Sequence, residues 1–191
     1  MAVELYENVY KKKFSFGKNW AKYLTRLDAE KVALARDSLR RFTTLESFKG
    51  KTFIDIGCGS GLFSLAAAQL GARVISVDAD INSVNCAEKL RTNSGIKNWE
   101  VKHGSILDES FVKQLPKGDI VYSWGVLHHT GDMWRAFEQI ERLVKRKGLL
   151  YIAIYNDFRG LPFSSKQWLW IKRRYVNSNA LTKRLMKMGY T

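Results

Sequence analysis

Residues 52–70 read TFIDIGCGSGLFSLAAAQL. A short β-rich run, Thr52 to Ile56, breaks on Gly57, Gly59 and Gly61 and passes into an apolar helix over 62–70 that Gly71 stops. Three alternating glycines let a backbone turn sharply and approach a ligand without Cβ clashes. The helix behind them offers free N–H groups and the positive end of its dipole to a negative group. A strand, a glycine loop and a helix in that order make a nucleotide-binding unit of an α/β sheet.

The same alternation continues on either side. Downstream come a strand at 73–78, a helix near 81–92 and short strands at 99–102 and 119–124. A helix at 132–145, ending in Lys145-Arg146-Lys147-Gly148, and a final apolar strand at 149–155 follow. Upstream, residues 28–48 carry apolar side chains at three-to-four spacing (Val32, Leu34, Ala35, Leu39, Phe42), with Asp28 as N-cap. Strands alternating with helices imply right-handed βαβ units. The fold class is therefore α/β, a Rossmann-like three-layer sandwich with a mainly parallel sheet. Ligands of such sheets bind beyond the carboxyl ends of the strands, where strand order reverses.

A dinucleotide loop reads G-x-G-x-x-G, which from Gly57 would put its third glycine at position 62; that position is Leu62, and the third glycine comes one place early. Asp55, two residues before Gly57, is a poor neighbour for a pyrophosphate and a good one for an ammonium group. Gly57, Gly59 and the helix start can hold a carboxylate. An amino acid joined to a nucleoside meets both demands. Asp78 ends the second strand, 21 residues after Gly57, where a carboxylate accepts both hydroxyls of a ribose. After the third strand, the loop His103-Gly104-Ser105-Ile106 can flank an adenine.

On the blocks FIDIGCGSGLFSLAAAQLGARVISVDAD, HGSILD and DIVYSWGVLHHTGDMWRAFEQIERLVKRKGLLYIAIYN, the chain resembles class I S-adenosylmethionine-dependent methyltransferases of the ubiquinone-methylase-like group. The resemblance covers roughly residues 14–175 and implies S-adenosyl-L-methionine as cofactor. It implies that Asp55, Gly57, Gly59 and Gly61 hold the methionine part and that Asp78 takes the ribose. Ser105 and Ile106 would border the adenine, and Trp124 and Gly125 would add backbone to the methionine pocket. Cys58 and Ala79, inside the same loops, complete the expected set. Such folds usually close with a helix and an antiparallel strand pair. No pair is legible after Asn156, so it is missing or the basic tail takes its place.

Methyl transfer from a sulfonium is an in-line displacement in which alignment supplies most of the catalysis. A base is needed only where the acceptor must lose a proton. His128 and His129 follow the fourth strand, in the loop that faces the transferred group in this architecture, and histidine titrates near neutrality. They are the candidate catalytic residues; a helix-capping or positioning role is the alternative. Ser123-Trp124-Gly125-Val126 stands where amino-methylases carry an Asn/Asp-Pro-Pro-aromatic turn, which speaks against an exocyclic-amine acceptor. Phe16 and Trp20, with Tyr6, Tyr10 and Phe14, form an aromatic N-terminal cluster that is either core or a lid excluding water from substrate and cofactor.

The chain has 191 residues, 46% hydrophobic and 13% aromatic, which excludes a disordered chain and makes one domain with an appendage the default. Three segments are expected: an N-terminal segment 1–48, the cofactor-binding core 49–157 and a tail 158–191. Two cysteines, Cys58 and Cys86, make no disulfide framework and point to a reducing, cytoplasmic setting. No secretory signal, membrane span or metal-ligand spacing is legible, and no metal is expected. The net charge is +14. Arg159, Lys166, Lys172, Arg173, Arg174, Lys183, Arg184 and Lys187 bring eight cations and no acid to the last 34 residues, interleaved with Trp168, Trp170 and Tyr175. Such a tail suits RNA, an anionic membrane surface at the protein's periphery, or docking on the domain itself. The expected function is methyl transfer to a small-molecule or lipid- or glycan-type acceptor, at oxygen. The alternatives are an RNA methyltransferase that uses the tail and a cofactor-binding module without catalysis.

Overall fold

The structure, a computed structural model, describes residues 27–156 and 164–188. The chain divides after Ile154 into two compact units. Phe16 and Trp20, with Tyr6, Tyr10 and Phe14, and Arg159 of the tail lie outside the described residues.

The first unit begins with α1 (Ala29–Thr43), whose N-cap Asp28 accepts from the Lys31 amide. It stops at Thr44, which takes a φ of 57°, five residues short of the expected end. There β-branched Thr43 turns its hydroxyl onto the Leu39 carbonyl at 2.8 Å, which ends the helix. Five strands follow: β1 (Thr52–Ile56), β2 (Arg73–Asp78), β3 (Trp99–His103), β4 (Gly118–Trp124) and β5 (Val144–Ala153). The helices between them are α2 (Leu62–Gln69), α3 (Ile81–Ser94), α4 (Glu109–Val112) and α5 (Met133–Glu141). Strand order is β3-β2-β1-β4-β5 and every pairing is parallel. Order reverses between β1 and β4, so the crevice beyond their carboxyl ends is the place for a ligand.

The alternation of side chains sorts the core into two layers. Phe53, Val74, Ile120 and Tyr122 face α1 and α2 with Leu39, Leu65 and Ala66. Ile54, Ile75, Val77 and Val121 face the other way, with Leu127, Ala136 and Ile140. A strand buried on both faces reads as a near-continuous apolar run, and β1, β2 and β4 are mostly apolar apart from residues such as Asp55, Ser76 and Ser123.

One boundary differs from expectation by more than a fraying end. Lys145-Arg146-Lys147-Gly148 does not end a helix; α5 finishes at Glu141 and β5 starts at Val144. The reason is Leu143, which is buried and whose carbonyl accepts from the Gly118 amide at 2.7 Å, drawing the chain into the sheet early. Gly118 pairs with Val144 and Ile120 with Leu149, so the basic run leaves the ladder as an excursion with Lys147 at φ 68°.

Beyond Asn156 the described residues form two helices, α6 (Ser165–Asn177) and α7 (Ala180–Met188), and contain no strand. Ser164 and Gln167 close a capping box at the start of α6. Trp168, Ile171 and Tyr175 are partly buried along one side of α6, and the Lys183 ammonium lies 5.8 Å from the Tyr175 ring centroid. Trp170, Arg173, Arg174 and Asn177 share another side of α6 and line a shallow concavity with Ser178. No helix among the described residues is long and apolar enough to cross a membrane.

Candidate functional site

The glycine loop leaves β1 at Gly57, Gly59 and Gly61 with φ of 77°, 54° and 81°, all in the left-handed region that favours glycine. Gly57 has a second reason to lack a side chain. A Cβ there would lie 2.4 Å from a methyl carbon of Val126, so the loop after β4 packs directly on the glycine loop. This contact brings the His128–His129 turn toward the end of β1.

The loop amides are largely used inside the protein. Gly57 and Cys58 donate to the Val77 carbonyl at 2.7 and 3.1 Å, Gly59 to the Asp78 carboxylate at 2.9 Å, and Gly61 to the Cys58 carbonyl at 2.9 Å. Of the anion donors expected at Gly57, Gly59 and the helix start, the two glycine amides are already bonded within the protein, and the start of α2 remains. That helix begins on Gly61 with no side-chain cap. The other described α-helices are capped by Asp28, Asp80, Asp108, Asp132, Ser164 and Asn179. An uncapped start beside a ligand crevice leaves first-turn amides and the positive dipole end for an anion.

Asp55 is 2% exposed, on the α2 face of the sheet. Its Oδ2 accepts from the Ser64 hydroxyl at 2.6 Å. Burial pushes its carboxyl up to about 7; the Ser64 hydrogen bond opposes this and the nearby Asp78 charge adds to it. A carboxylate so poorly solvated gains most from a cationic partner. Asp78, partly buried at the end of β2, accepts from the amides of Gly59 and Asp80, both at 2.9 Å. Burial raises its pKa, and those two amides hold it back. Burial, with Asp55 and Asp78 beside it, likewise raises the Cys58 thiol, so Cys58 is no thiolate nucleophile.

Ala79 lends its carbonyl to His103 Nε2 at 3.1 Å, which ties the ends of β2 and β3 together. The Gly104 amide donates to the Asp78 carbonyl at 3.0 Å, and Ser105 closes the next turn by accepting from Leu107 at 3.2 Å. Ile106 is 5% exposed and belongs to the core layer that faces α5. Gly125 takes a φ of 70° and donates to the Ala153 carbonyl at 2.8 Å. Trp124, 44% exposed, stacks with Phe42, Phe63, Tyr122 and Tyr151 at centroid distances of 5.9 to 6.5 Å. His128 and His129 sit in a 3-10 turn, Leu127–His129, with ring centroids 3.9 Å apart. His128 is partly buried, which lowers its pKa, whereas His129 is exposed.

The structure thus gathers Asp55, the glycine loop, Asp78, Ala79, Ser105, Gly125 and the two histidines at one end of the first unit. Ser64, Val126 and Tyr122 belong to the same region and were not singled out from sequence. Val126 had no sequence signal, whereas Ser64 stands out as a polar residue in an apolar helix. Among the described residues no group of three or more His, Cys, Asp or Glu side chains could hold a metal ion.

Comparison with known proteins gives a matching picture. Residues 47–188 match the family described as "Methyltransferase domain". A ubiquinone biosynthesis O-methyltransferase of Bartonella bacilliformis is 32% identical over 127 residues, covering 66% of this chain and 49% of that protein. The same-named protein of a Chelativorans species is 30% identical over 109 residues, 57% of this chain and 42% of that one. The chain thus spans about half the length of the curated relatives it matches. A SAM-dependent methyltransferase from Aquifex aeolicus superposes with a TM-score of 0.58 at 20% identity, over 75% of this chain and 77% of that one. That likeness extends to the fold.

Proposed function

This chain belongs to the methyltransferase-domain family, and from that premise we propose that it transfers a methyl group from S-adenosyl-L-methionine to an oxygen of a small-molecule or lipid- or glycan-type acceptor. The observation that carries the cofactor half is the pairing of opposite needs at one strand end: an uncapped helix start that wants an anion beside a buried carboxylate that wants a cation. A free amino-acid head group supplies both. The missing Cβ at Gly57 keeps backbone, not side chain, at the crevice. Bound there, the cofactor supplies a methyl group already activated by its positive sulfur.

In this reading Asp55 accepts from the ammonium, and the first turn of α2 receives the carboxylate. Asp78 takes the ribose hydroxyls, with Ala79 and Cys58 beside it as backbone, and Ser105 and Ile106 border the base. Trp124 and Gly125 wall the methionine end. Asp78→Ala is expected to weaken cofactor binding by about 2–4 kcal/mol, from two hydrogen bonds to a charged group partly replaced by water. The protein should stay folded by circular dichroism, and an unchanged affinity would remove Asp78 from the site.

For the acceptor, the stacked rings around Trp124 favour a planar or apolar molecule over a highly charged one. The relatives' O-methyltransferase names support oxygen as the target. A hydroxyl must lose its proton as it attacks, and burial lowers the pKa of His128, which favours the neutral imidazole that such a role needs. Cell extract incubated with the protein and methyl-labelled cofactor should yield label in a small-molecule or lipid fraction. Replacing the acting histidine by alanine should cut that signal about 10²–10⁴-fold while cofactor affinity holds. If both alanine variants retain full turnover, the histidines are structural.

Label recovered in RNA would instead favour the second reading, for which exposed Trp170 beside Arg173 and Arg174 is the supporting observation. Cofactor binding with no labelled product would favour a non-catalytic module.

A further inference from the structure

Four polar side chains from four elements meet in the layer between the sheet and α2. The Trp99 indole, at the start of β3, donates to the Ser76 hydroxyl at 2.7 Å. Ser76, mid-β2, donates to the Ser64 hydroxyl at 2.6 Å, and Ser64, in α2, donates to Asp55 Oδ2 at 2.6 Å. Trp99 and Asp55 are 2% exposed, Ser64 and Ser76 fully buried. An indole N–H only donates and an ionised carboxylate only accepts, so the hydroxyl protons between them have one consistent orientation. Every hydrogen points toward Asp55.

From this chain of donors we infer that Trp99, Ser76 and Ser64 are positioning residues for cofactor binding, which act by holding Asp55 as a charged acceptor for the ligand's ammonium group. The inference rests on the assignment of Asp55 to that group. Ser64 gives the carboxylate its one side-chain hydrogen bond among the described residues. Trp99 acts at the remote end: its indole donates to the Ser76 oxygen, which favours the arrangement in which the Ser76 proton points at Ser64 and the Ser64 proton at Asp55. Burial alone would keep the carboxyl neutral well above its ordinary range, and the chain opposes that.

The other titratable groups around Asp55 do not help it ionise. Asp78, from the end of β2, repels it. Tyr122, opposite it on β4, has its phenol raised by burial and by Asp55 itself. Cys58, in the glycine loop, has a thiol raised for the same reasons. Tyr122 is 2% exposed, and its hydroxyl has no hydrogen-bond partner among the described residues. The donor chain is therefore the internal device on this face that favours the charge.

The test is a carboxyl-carbon NMR titration of Asp55 in the ligand-free protein, run beside calorimetry with the demethylated product, S-adenosylhomocysteine. Ser64→Ala should raise the Asp55 midpoint by about one pH unit, and Ser76→Ala and Trp99→Phe by about half of one. Ser76→Thr, which keeps the hydroxyl, should restore it. With a one-unit rise from the wild-type midpoint of about 7, product affinity of Ser64→Ala falls about eightfold at pH 6.5 and is nearly equal to wild type at pH 9. Titration of the ligand's own amine is common to both proteins and cancels in that ratio. Ser76→Ala, a small change in volume, serves as the arm that folds if Trp99→Phe does not. A lower melting temperature with an unmoved Asp55 midpoint in Ser64→Ala and Ser76→Ala would reduce the chain to packing and overturn the inference. A midpoint that moves while the affinity ratio stays flat with pH would overturn it differently, by removing Asp55 from the ammonium site.

Discussion

Gly57→Ala should destabilise the protein by about 2–5 kcal/mol and abolish cofactor binding. The L-residue penalty at the observed φ of 77° is about 1–2 kcal/mol. The added methyl would stand 2.4 Å from a Val126 methyl carbon, and forcing such an overlap costs about 1–3 kcal/mol more. The two parts separate experimentally. Gly57→Ala combined with Val126→Gly should recover the overlap cost in urea denaturation and retain the backbone cost. Gly95→Ala is the matched control, since Gly95 takes a φ of 68° and meets nothing within 4 Å. Equal losses at Gly57 and Gly95 would show that the Val126 contact contributes nothing.

Asp55→Asn should act in opposite directions on stability and on binding. The carboxyl is pushed up to about 7 from an ordinary value of 3.8. Between those values the folded protein holds a proton that the unfolded chain has released, so stability falls as pH rises through the window. Below about pH 3.8 the burial cost is absent, and above about pH 7 it is fully present. The full cost corresponds to roughly 4 kcal/mol, and the new buried amide donors of asparagine offset about half of it. Asp55→Asn should therefore be about 2 kcal/mol more stable than wild type at pH 8 and about 2 kcal/mol less stable near pH 4, where the wild-type carboxyl is neutral and only the asparagine's own cost is left. Cofactor affinity should fall by at least about 100-fold, because a charge-assisted hydrogen bond in a dry site is lost. A site residue whose removal stabilises the fold is under functional, not structural, demand.

The order of strands and helices was legible because β1, β2 and β4 are buried on both faces and read as mostly apolar runs, interrupted inside by single polar residues such as Asp55, Ser76 and Ser123. Of the four aspartates that cap helix starts, Asp28 was read as a cap from the sequence. The basic run at 145–148 misled because charge and a glycine usually mark a helix end, and the pairing of Gly118 with Leu143 that overrides it joins distant residues. At the site, the glycine loop and both acids could be picked out, since their spacing is local. Their states could not. Asp55 shares a strand face with Phe53, but only the docking of α2 decides that the face is sealed. Ser64, Ser76 and Trp99 are separated by 12 and 23 residues along the chain, and no local pattern joins them. The amides of Gly57 and Gly59 looked available from sequence because their partners, Val77 and Asp78, come from another strand.

A buried carboxylate and an uncapped helix start that act as one site would take an amino-acid head group carried on a nucleoside. Calorimetric titration of the wild-type protein at pH 8 with S-adenosylhomocysteine, with NAD in a parallel titration, tests this most directly. S-adenosylhomocysteine should bind one-to-one in the micromolar range, Asp55→Asn should lose that binding, and NAD should give no heat. Binding of NAD in the same range with none for S-adenosylhomocysteine would contradict this, as would full S-adenosylhomocysteine affinity in folded Asp55→Asn.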